Sequence, residues 1–264
     1  LDRDGPVPEV TPSSEVTPSS EVTAARRAEL ADALAALRER IDAACASAGR
    51  APGEVGLLAV TKTFPALDVA ALCDLGLREF GENRVQEAAP KVAELTALRP
   101  DAAARWQMVG RLQRNKARSV TAWAHRVQSV DSQRLATALG KATATAIERG
   151  ERDGPLGILL QVSLDDRPER GGCLPEDLPD LAEGVARTGE LDLQGLMAVA
   201  PLNEDPEPAF ARLAEIAGRL RRDHPEATEL SAGMSGDLET AIAYGSTCVR
   251  VGTALLGGRQ LASQ

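Results

Sequence analysis

Eight short apolar runs, alternating with helical patterns, constrain the fold of this chain more than any other feature. The runs are Val55–Thr61, Arg78–Asn83, Arg105–Val109, Arg126–Val130, Leu156–Val162, Leu193–Val199, Glu229–Ser231 and Cys248–Val251. Runs of this length between turn residues read as buried strands. Between them, Pro65–Leu75, Arg84–Leu98, Gln113–Ala122, Pro206–Arg222 and Asp237–Tyr244 read as helices. A further helix, capped by Asp131, carries Leu135, Leu139 and Ala142, and another opens at Pro175. Alternating β and α units imply a parallel sheet with its helices outside. Eight units in about 200 residues fit a closed (β/α)8 TIM barrel better than an open sheet. No G-x-G-x-x-G or Walker sequence is present, so nucleotide binding of those types has no support.

The chain before the first strand divides in two. Residues 1–22 carry a tandem "EVTPSS" repeat, Glu9–Ser14 and Glu15–Ser20. Pro, Ser, Thr and Glu with few apolar residues bury too little surface to offset chain entropy, so a disordered tail is expected. From Thr23, a plausible N-cap, Leu30, Leu34, Leu37 and Ile41 fall on one helical face that stops near Gly49. The expected organisation is a tail over 1–22 and one barrel domain over 23–264, with an extra N-terminal helix.

The net charge of -9 argues against general nucleic-acid binding. The basic segment Arg111–Arg118 lacks interleaved aromatic residues and reads as a solvated helix face that could also attract an anion. Cys45, Cys73, Cys173 and Cys248 are scattered, and His125 and His224 lie far apart, so metal-ligand spacing is absent. The cysteines read as small core residues, and a reducing cytoplasm is the expected compartment. No apolar run reaches the length of a membrane span, and the N-terminal stretch lacks a signal-peptide core.

In a barrel of this kind the active site lies at the C-terminal strand ends. Lys62 follows the first strand, in "GLLAVTKTF". Its stem would pack in the core with the amine at the rim, where desolvation favours the neutral, nucleophilic form. The plain alternative is a snorkelling lysine at a strand end. Gly81-Glu82-Asn83 ends the second strand, Ser231–Asp237 follows the seventh, and Arg250-Val251-Gly252-Thr253 ends the eighth. Small residues such as Gly233, Ser235, Gly252 and Thr253 let backbone N–H groups approach a phosphate. An amine for an aldehyde, a phosphate cradle and an arginine between them suggest pyridoxal 5'-phosphate, with Arg250 facing the pyridine nitrogen.

Seven stretches then match a known family in order: "LLAVTKTFP", "FGENRVQEAAPKV", "WQMVGRLQRNKARSV", "VQSVDSQRLA", "ILLQVSLDD", "LQGLMAV" and "LSAGMSGDLETAIAYGSTCVRVGTALLG". Over about residues 25–259 the sequence resembles the YggS/PROSC family of pyridoxal phosphate homeostasis proteins, whose fold is like the N-terminal barrel of alanine racemase. The resemblance implies a monomer that binds pyridoxal phosphate covalently and acts in vitamin B6 and amino-acid homeostasis. It implies no established catalysis. It places the Schiff base on Lys62, Asn83 near the ring, Arg250 at the pyridine nitrogen, and Met234, Ser235, Gly252 and Thr253 at the cofactor and its phosphate. Apo-enzymes that need the cofactor would be recipients. The sequence departs from many relatives at Gln107, where they carry His, at Arg84, where they carry Tyr, and at Glu169–Gly172, where they carry Lys-x-G.

Two other readings stay open. A pyridoxal-phosphate-dependent amino-acid racemase needs a second base. The only tyrosine, Tyr244, sits on the helix after the seventh strand and reads as packing, so racemase activity would be weak. A Schiff-base aldolase would use the lysine with no cofactor.

Overall fold

The computed structural model describes residues 21–165, 171–201 and 203–258. The expected tail, apart from its last two residues, therefore lies outside the described residues, as does Glu169-Arg170 of the departing loop. A long helix α1 (Ala24–Ser47) precedes the first strand. Eight strands then alternate with helices: β1 (Gly56–Val60), α2 (Ala66–Asp74), β2 (Glu79–Glu82), α3 (Val85–Leu98), β3 (Arg105–Met108), α4 (Ala117–Thr121), β4 (Arg126–Val130) and α5 (Gln133–Glu148). The second half is β5 (Leu156–Gln161), α6 (Leu178–Ala186), β6 (Leu191–Met197), α7 (Glu207–Asp223), β7 (Glu229–Ser231), α8 (Leu238–Ala243), β8 (Cys248–Val251) and α9 (Thr253–Leu256).

All strand pairs are parallel, and β1 closes on β8 with Leu58 opposite Arg250 and Ala59 opposite Val251. The result is the expected closed (β/α)8 barrel. Its main core lies between barrel and helices, where Ala59, Phe80, Trp106, Met108, Val127 and Ile158 meet the apolar helix faces. Phe80 and Trp106 stack at a tilt with centroids 5.5 Å apart. The four cysteines are buried thiols, and burial pushes those of Cys73 and Cys248 up to about 11 and that of Cys173 up to about 12.

The start of α1 is set as the sequence suggests. Thr23 Oγ1 accepts from Arg26 N at 3.2 Å, and Gly49 takes the left-handed conformation (φ 69°) just past the end. Other boundaries move. The basic segment is no single helix: Arg114–Lys116 forms a 3-10 turn before α4. Ser132, rather than Asp131, is the N-cap of α5, and Asp131 instead faces Gly172 N at 3.5 Å. Pro175 lies in a turn, with α6 opening three residues later. Strand β6 begins at Leu191 and slips register against β5 between Ile158 and Leu159. Gly195 sits just past that slip, where a Cβ would run into Glu229 O. The expected alternation missed it because Asp192 and Gln194 break the apolar run.

His125 accepts a hydrogen bond from Trp106 N at its Nδ1 (3.3 Å). Burial holds its imidazole below the ordinary range, helped by Arg105 and Arg152. The unfolded chain therefore binds more protons between its ordinary pKa of about 6.5 and the lower folded value, so this contribution is full above about pH 6.5 and is lost as pH falls through the folded pKa. The melting temperature should decline between about pH 7 and pH 5, and His125→Gln should flatten that part of the profile. Circular dichroism melts across that range check this; identical slopes for the two proteins would count against it.

Candidate functional site

The C-terminal mouth is built around Thr61, the residue after β1. It is fully buried, and each of its polar groups is engaged. Its N–H donates to Gly81 O (3.0 Å), its carbonyl accepts from Phe64 N (3.1 Å) and Lys91 Nζ (2.8 Å), and its hydroxyl donates to Glu82 Oε1 (2.7 Å). Lys91 Nζ also pairs with Glu82 Oε1 at 2.6 Å, where both side chains are nearly inaccessible. Lys62 follows in the turn that Thr61 and Phe64 close, half-buried at the rim. Thr63 next to it has φ 69°, a conformation a β-branched residue takes only when its surroundings impose it, at about 1 to 3 kcal/mol. Among the described residues, the Lys62 ammonium has no ion-pair partner.

The other expected residues gather at the same end of the barrel. Asn83 follows β2, and its Oδ1 is buried without a hydrogen-bond partner among the described residues. Gly110 lets the next loop press onto it, since a Cβ there would collide with Asn83 O. Arg250, 6% exposed, lies on β8, directly paired with Leu58 of β1. Its Nη1 donates to Ser231 Oγ and its Nη2 to Ala198 O, both at 2.8 Å. Burial lowers its guanidinium from the ordinary value, yet the group stays charged at neutral pH.

Two turns form the cradle. After β7, Gly233 (φ 91°) brings the backbone against α8, where a Cβ would sit 2.7 Å from Ala241 Cβ. Asp237 Oδ1 accepts from Met234 N at 2.6 Å and sets the turn. Ser235 and Gly236 in this turn, and Thr253 and Ala254 after β8, have backbone N–H groups that donate to no acceptor among the described residues. Gly252 lies close to β1, with room for a Cβ only 3.2 Å from Val60 O. All seven expected residues therefore belong to one mouth: Lys62 and Asn83 on one side, Met234, Ser235, Gly252 and Thr253 around the cradle, and Arg250 on the strand between.

These parts are held by residues far from them in sequence. Arg40 of α1 donates Nη1 to Ser235 O (2.9 Å) and pairs with Glu239. Arg26 of α1 donates Nη2 to Leu256 O (3.0 Å) and pairs with Asp68 at 2.8 Å. Lys91 was hidden inside a helical pattern that Pro90 interrupts, yet α3 runs unbroken from Val85 to Leu98. Beside Asn83, the mouth widens into a cavity of about 940 Å³ lined by Arg84, Arg111, Arg114, Lys116 and Arg134. The basic segment thus faces the mouth. Tyr244 donates its hydroxyl to Glu207 Oε1 at 2.7 Å, on the helical layer. Among the described residues, no three His, Cys, Asp or Glu side chains converge as a metal site, and no helix is long and apolar enough to cross a membrane.

The fold and the mouth define a class, the (β/α)8 barrels of the alanine racemase N-terminal domain, which residues 33–260 match. Within it the chain belongs to the pyridoxal phosphate homeostasis protein family. It is 49% identical over 247 residues to the pyridoxal phosphate homeostasis protein of Mycobacterium tuberculosis strain H37Rv, covering 90% of this chain and 96% of that one. The protein of the same name from Escherichia coli K12 is 38% identical, covering 88% and 97%. Among solved structures, PipY of Synechococcus elongatus with pyridoxal phosphate bound superposes with a TM-score of 0.72 at 35% identity, over 86% of this chain and all of that one. The alanine racemase of Corynebacterium glutamicum shares the fold, with a TM-score of 0.64 at 12% identity, over 90% of this chain and 62% of that one.

The Lys91–Glu82 pair is the anchor that can be tested on its own. Lys91→Met strands a buried carboxylate and should cost about 3 to 5 kcal/mol of stability. The double variant Lys91→Met/Glu82→Leu should recover most of that loss, because no charge remains buried. Urea denaturation of the three proteins reads both effects.

Proposed function

We propose that this protein binds pyridoxal 5'-phosphate, holds it as a Schiff base on Lys62, and acts in vitamin B6 and amino-acid homeostasis without established catalysis. The observation that carries this reading is the convergence at one barrel mouth of a lysine free of ion pairs, two turns with free backbone N–H groups, and a buried arginine. Residues present fit the cofactor on three counts. Free amides at Ser235, Gly236, Thr253 and Ala254 match a phosphate, the unpartnered Asn83 Oδ1 can accept from a ligand, and Arg250 has N–H groups beyond the two it commits to protein. When bound, the cofactor supplies an aldehyde and an electron-withdrawing ring.

The chemistry of attachment is balanced by the amine alone. Lys62 would hold the cofactor through its aldehyde, a condensation of amine and aldehyde that releases one water. Thr61 holds the lysine's backbone in place for this. The cradle turns bind the phosphate through N–H groups already oriented by Asp237 and Arg40, so little ordering cost remains on binding. Met234 and Gly252 shape the walls beside them. Arg250, always protonated, would face the ring nitrogen with its remaining N–H groups and would keep that nitrogen unprotonated. That weakens the ring as an electron sink and favours holding the cofactor over stabilising a carbanion. Arg84, Arg111, Arg114, Lys116 and Arg134 set a positive field beside the mouth of an acidic protein, which draws in an anion. The expected setting is a cytoplasmic monomer that hands the cofactor to apo-enzymes.

The relatives' name and the cofactor bound in PipY support this reading over a racemase. The engagement of the Tyr244 hydroxyl by Glu207 also disfavours it as a second catalytic base.

Purified protein mixed with pyridoxal phosphate should acquire a visible absorbance band, and borohydride should fix the cofactor to the peptide containing Lys62. Lys62→Ala should lose the band and the adduct; a retained adduct would overturn the site. Transfer to an apo-enzyme, followed by recovery of that enzyme's activity, should proceed from the loaded protein. Racemisation of alanine at ordinary enzymatic rates would overturn the non-catalytic reading. Arg40→Met should release the cofactor about ten-fold faster while leaving the Lys62 adduct intact, because it frees the Ser235 turn without removing a cofactor contact.

A further inference from the structure

Gln128 of β4 and Ser231 of β7 are joined by a hydrogen bond of 2.7 Å, although these strands are not neighbours in the barrel. In a closed barrel, strands without a shared edge can meet only across the lumen. This contact is one link of a longer chain. Arg250 Nη1 donates to Ser231 Oγ (2.8 Å), Ser231 Oγ to Gln128 Oε1 (2.7 Å), Gln128 Nε2 to Gln107 Oε1 (2.6 Å), and Gln107 Nε2 to Glu79 Oε2 (2.6 Å). Gln107, Gln128, Ser231 and Arg250 are all buried. Glu79, at the opposite end of the barrel, pairs with Arg105 at 3.2 Å.

The direction of every link is forced. A guanidinium only donates, so Ser231 Oγ must accept from Arg250 and send its own proton to Gln128. A carboxylate only accepts, so Gln107 must turn its NH₂ to Glu79. The two amides are thereby oriented from both ends, and all four donors point from the cation to the anion. Such a chain polarises its members cooperatively. It also answers a physical need. Arg250 is a buried cation that no carboxylate touches among the described residues, and buried charge demands compensation. Aliphatic side chains commonly fill this part of a barrel, and they would supply none.

We infer that Gln107 and Gln128 are positioning residues: the chain from Glu79 through Gln107, Gln128 and Ser231 fixes the plane of the Arg250 guanidinium from across the lumen. Through Arg250 it sets how tightly the cofactor's ring nitrogen is held, a consequence that rests on the cofactor reading above.

The test uses Gln107→Leu, Gln128→Leu and Gln107→His, with two readouts. The first is arginine side-chain ¹⁵N NMR of the protein without cofactor. Arg250 should give slowly exchanging Nη–H signals in the wild type and lose them in both Leu variants. The second is the dissociation constant for pyridoxal phosphate by absorbance. The Leu variants should bind about ten-fold more weakly, with Lys62 still trapped by borohydride at saturation.

A neutral imidazole offers one donor and one acceptor, so Gln107→His should match the wild type at about pH 8. On protonation near or above about pH 6.5 it can no longer accept from Gln128, so its signals and its affinity should fall with acid relative to the wild type. Should a Leu variant not fold, this acid limb decides alone. Leu variants with wild-type signals and affinity, or a His variant without the acid limb, would overturn the inference. Wild-type protein that binds no pyridoxal phosphate would sink the cofactor reading, and the NMR arm would still decide the chain.

Discussion

The mouth of this barrel depends on one buried knot, in which Lys91 and Glu82 Oε1 bond each other and Thr61 while Glu82 Oε2 has no partner among the described residues. Glu82 is fully inaccessible, and Lys91 reaches it from an outer helix rather than from solvent. A buried ion pair is weak evidence for stability, since apolar residues could fill the same space. What apolar residues could not do is hold a backbone carbonyl and a hydroxyl at once. Lys91 takes the Thr61 carbonyl and Glu82 takes the Thr61 hydroxyl. The chain one residue before Lys62 is thereby fixed on every polar atom. Thr63, one residue after it, is held in a left-handed conformation it would not choose. Lys62 sits between a fully anchored residue and a strained one, so its backbone has little freedom of its own.

The extra helix α1 completes the opposite side. Two of its four arginines reach the segments after β7 and β8: Arg40 bonds Ser235 O in the turn after β7, and Arg26 bonds Leu256 O at the end of α9. Both bonds are to backbone carbonyls, and both arginines are also held by carboxylates, Glu239 and Asp68. The helices that follow β7 and β8 span only Leu238–Ala243 and Thr253–Leu256. Helices that short have little intrinsic stability. A long helix packed across both can supply the rigidity they lack. The addition in front of the barrel is therefore part of the site's support rather than an appendage.

The strands and their order were legible because they rest on local signals, whereas roles for Asn83 and Met234 came only with the family resemblance. Apolar runs mark strands, and glycines such as Gly233 mark turns. The supports were not legible, and the reason is sequence separation. Arg40 and Ser235 are 195 residues apart, and Gln128 and Ser231 are 103 apart. Nothing local distinguishes Arg40 from any exposed arginine on α1. Lys91 was masked by Pro90, which argues for a helix boundary until tertiary packing overrides it. Gln107 was visible as a departure from relatives, but only as a lost titratable group. Its use as a donor and acceptor at once needs the lumen to be seen.

Arg250 ties the two halves of the mouth to the barrel's interior. Its strand partner is Leu58 of the lysine's own strand, and its backbone N–H donates to Gly233 O of the cradle turn at 2.9 Å. One residue thus touches the lysine strand through the sheet, the cradle through its backbone, and the lumen through its side chain. A lysine in its place could carry the charge but not the two diverging N–H bonds to Ser231 and Ala198 that fix a plane. The demand for a planar, permanently charged donor at that position explains the line of polar side chains that crosses the lumen from Glu79 of β2 to Arg250 of β8. The interior is wired to hold one guanidinium, and the rim is knotted to hold one lysine.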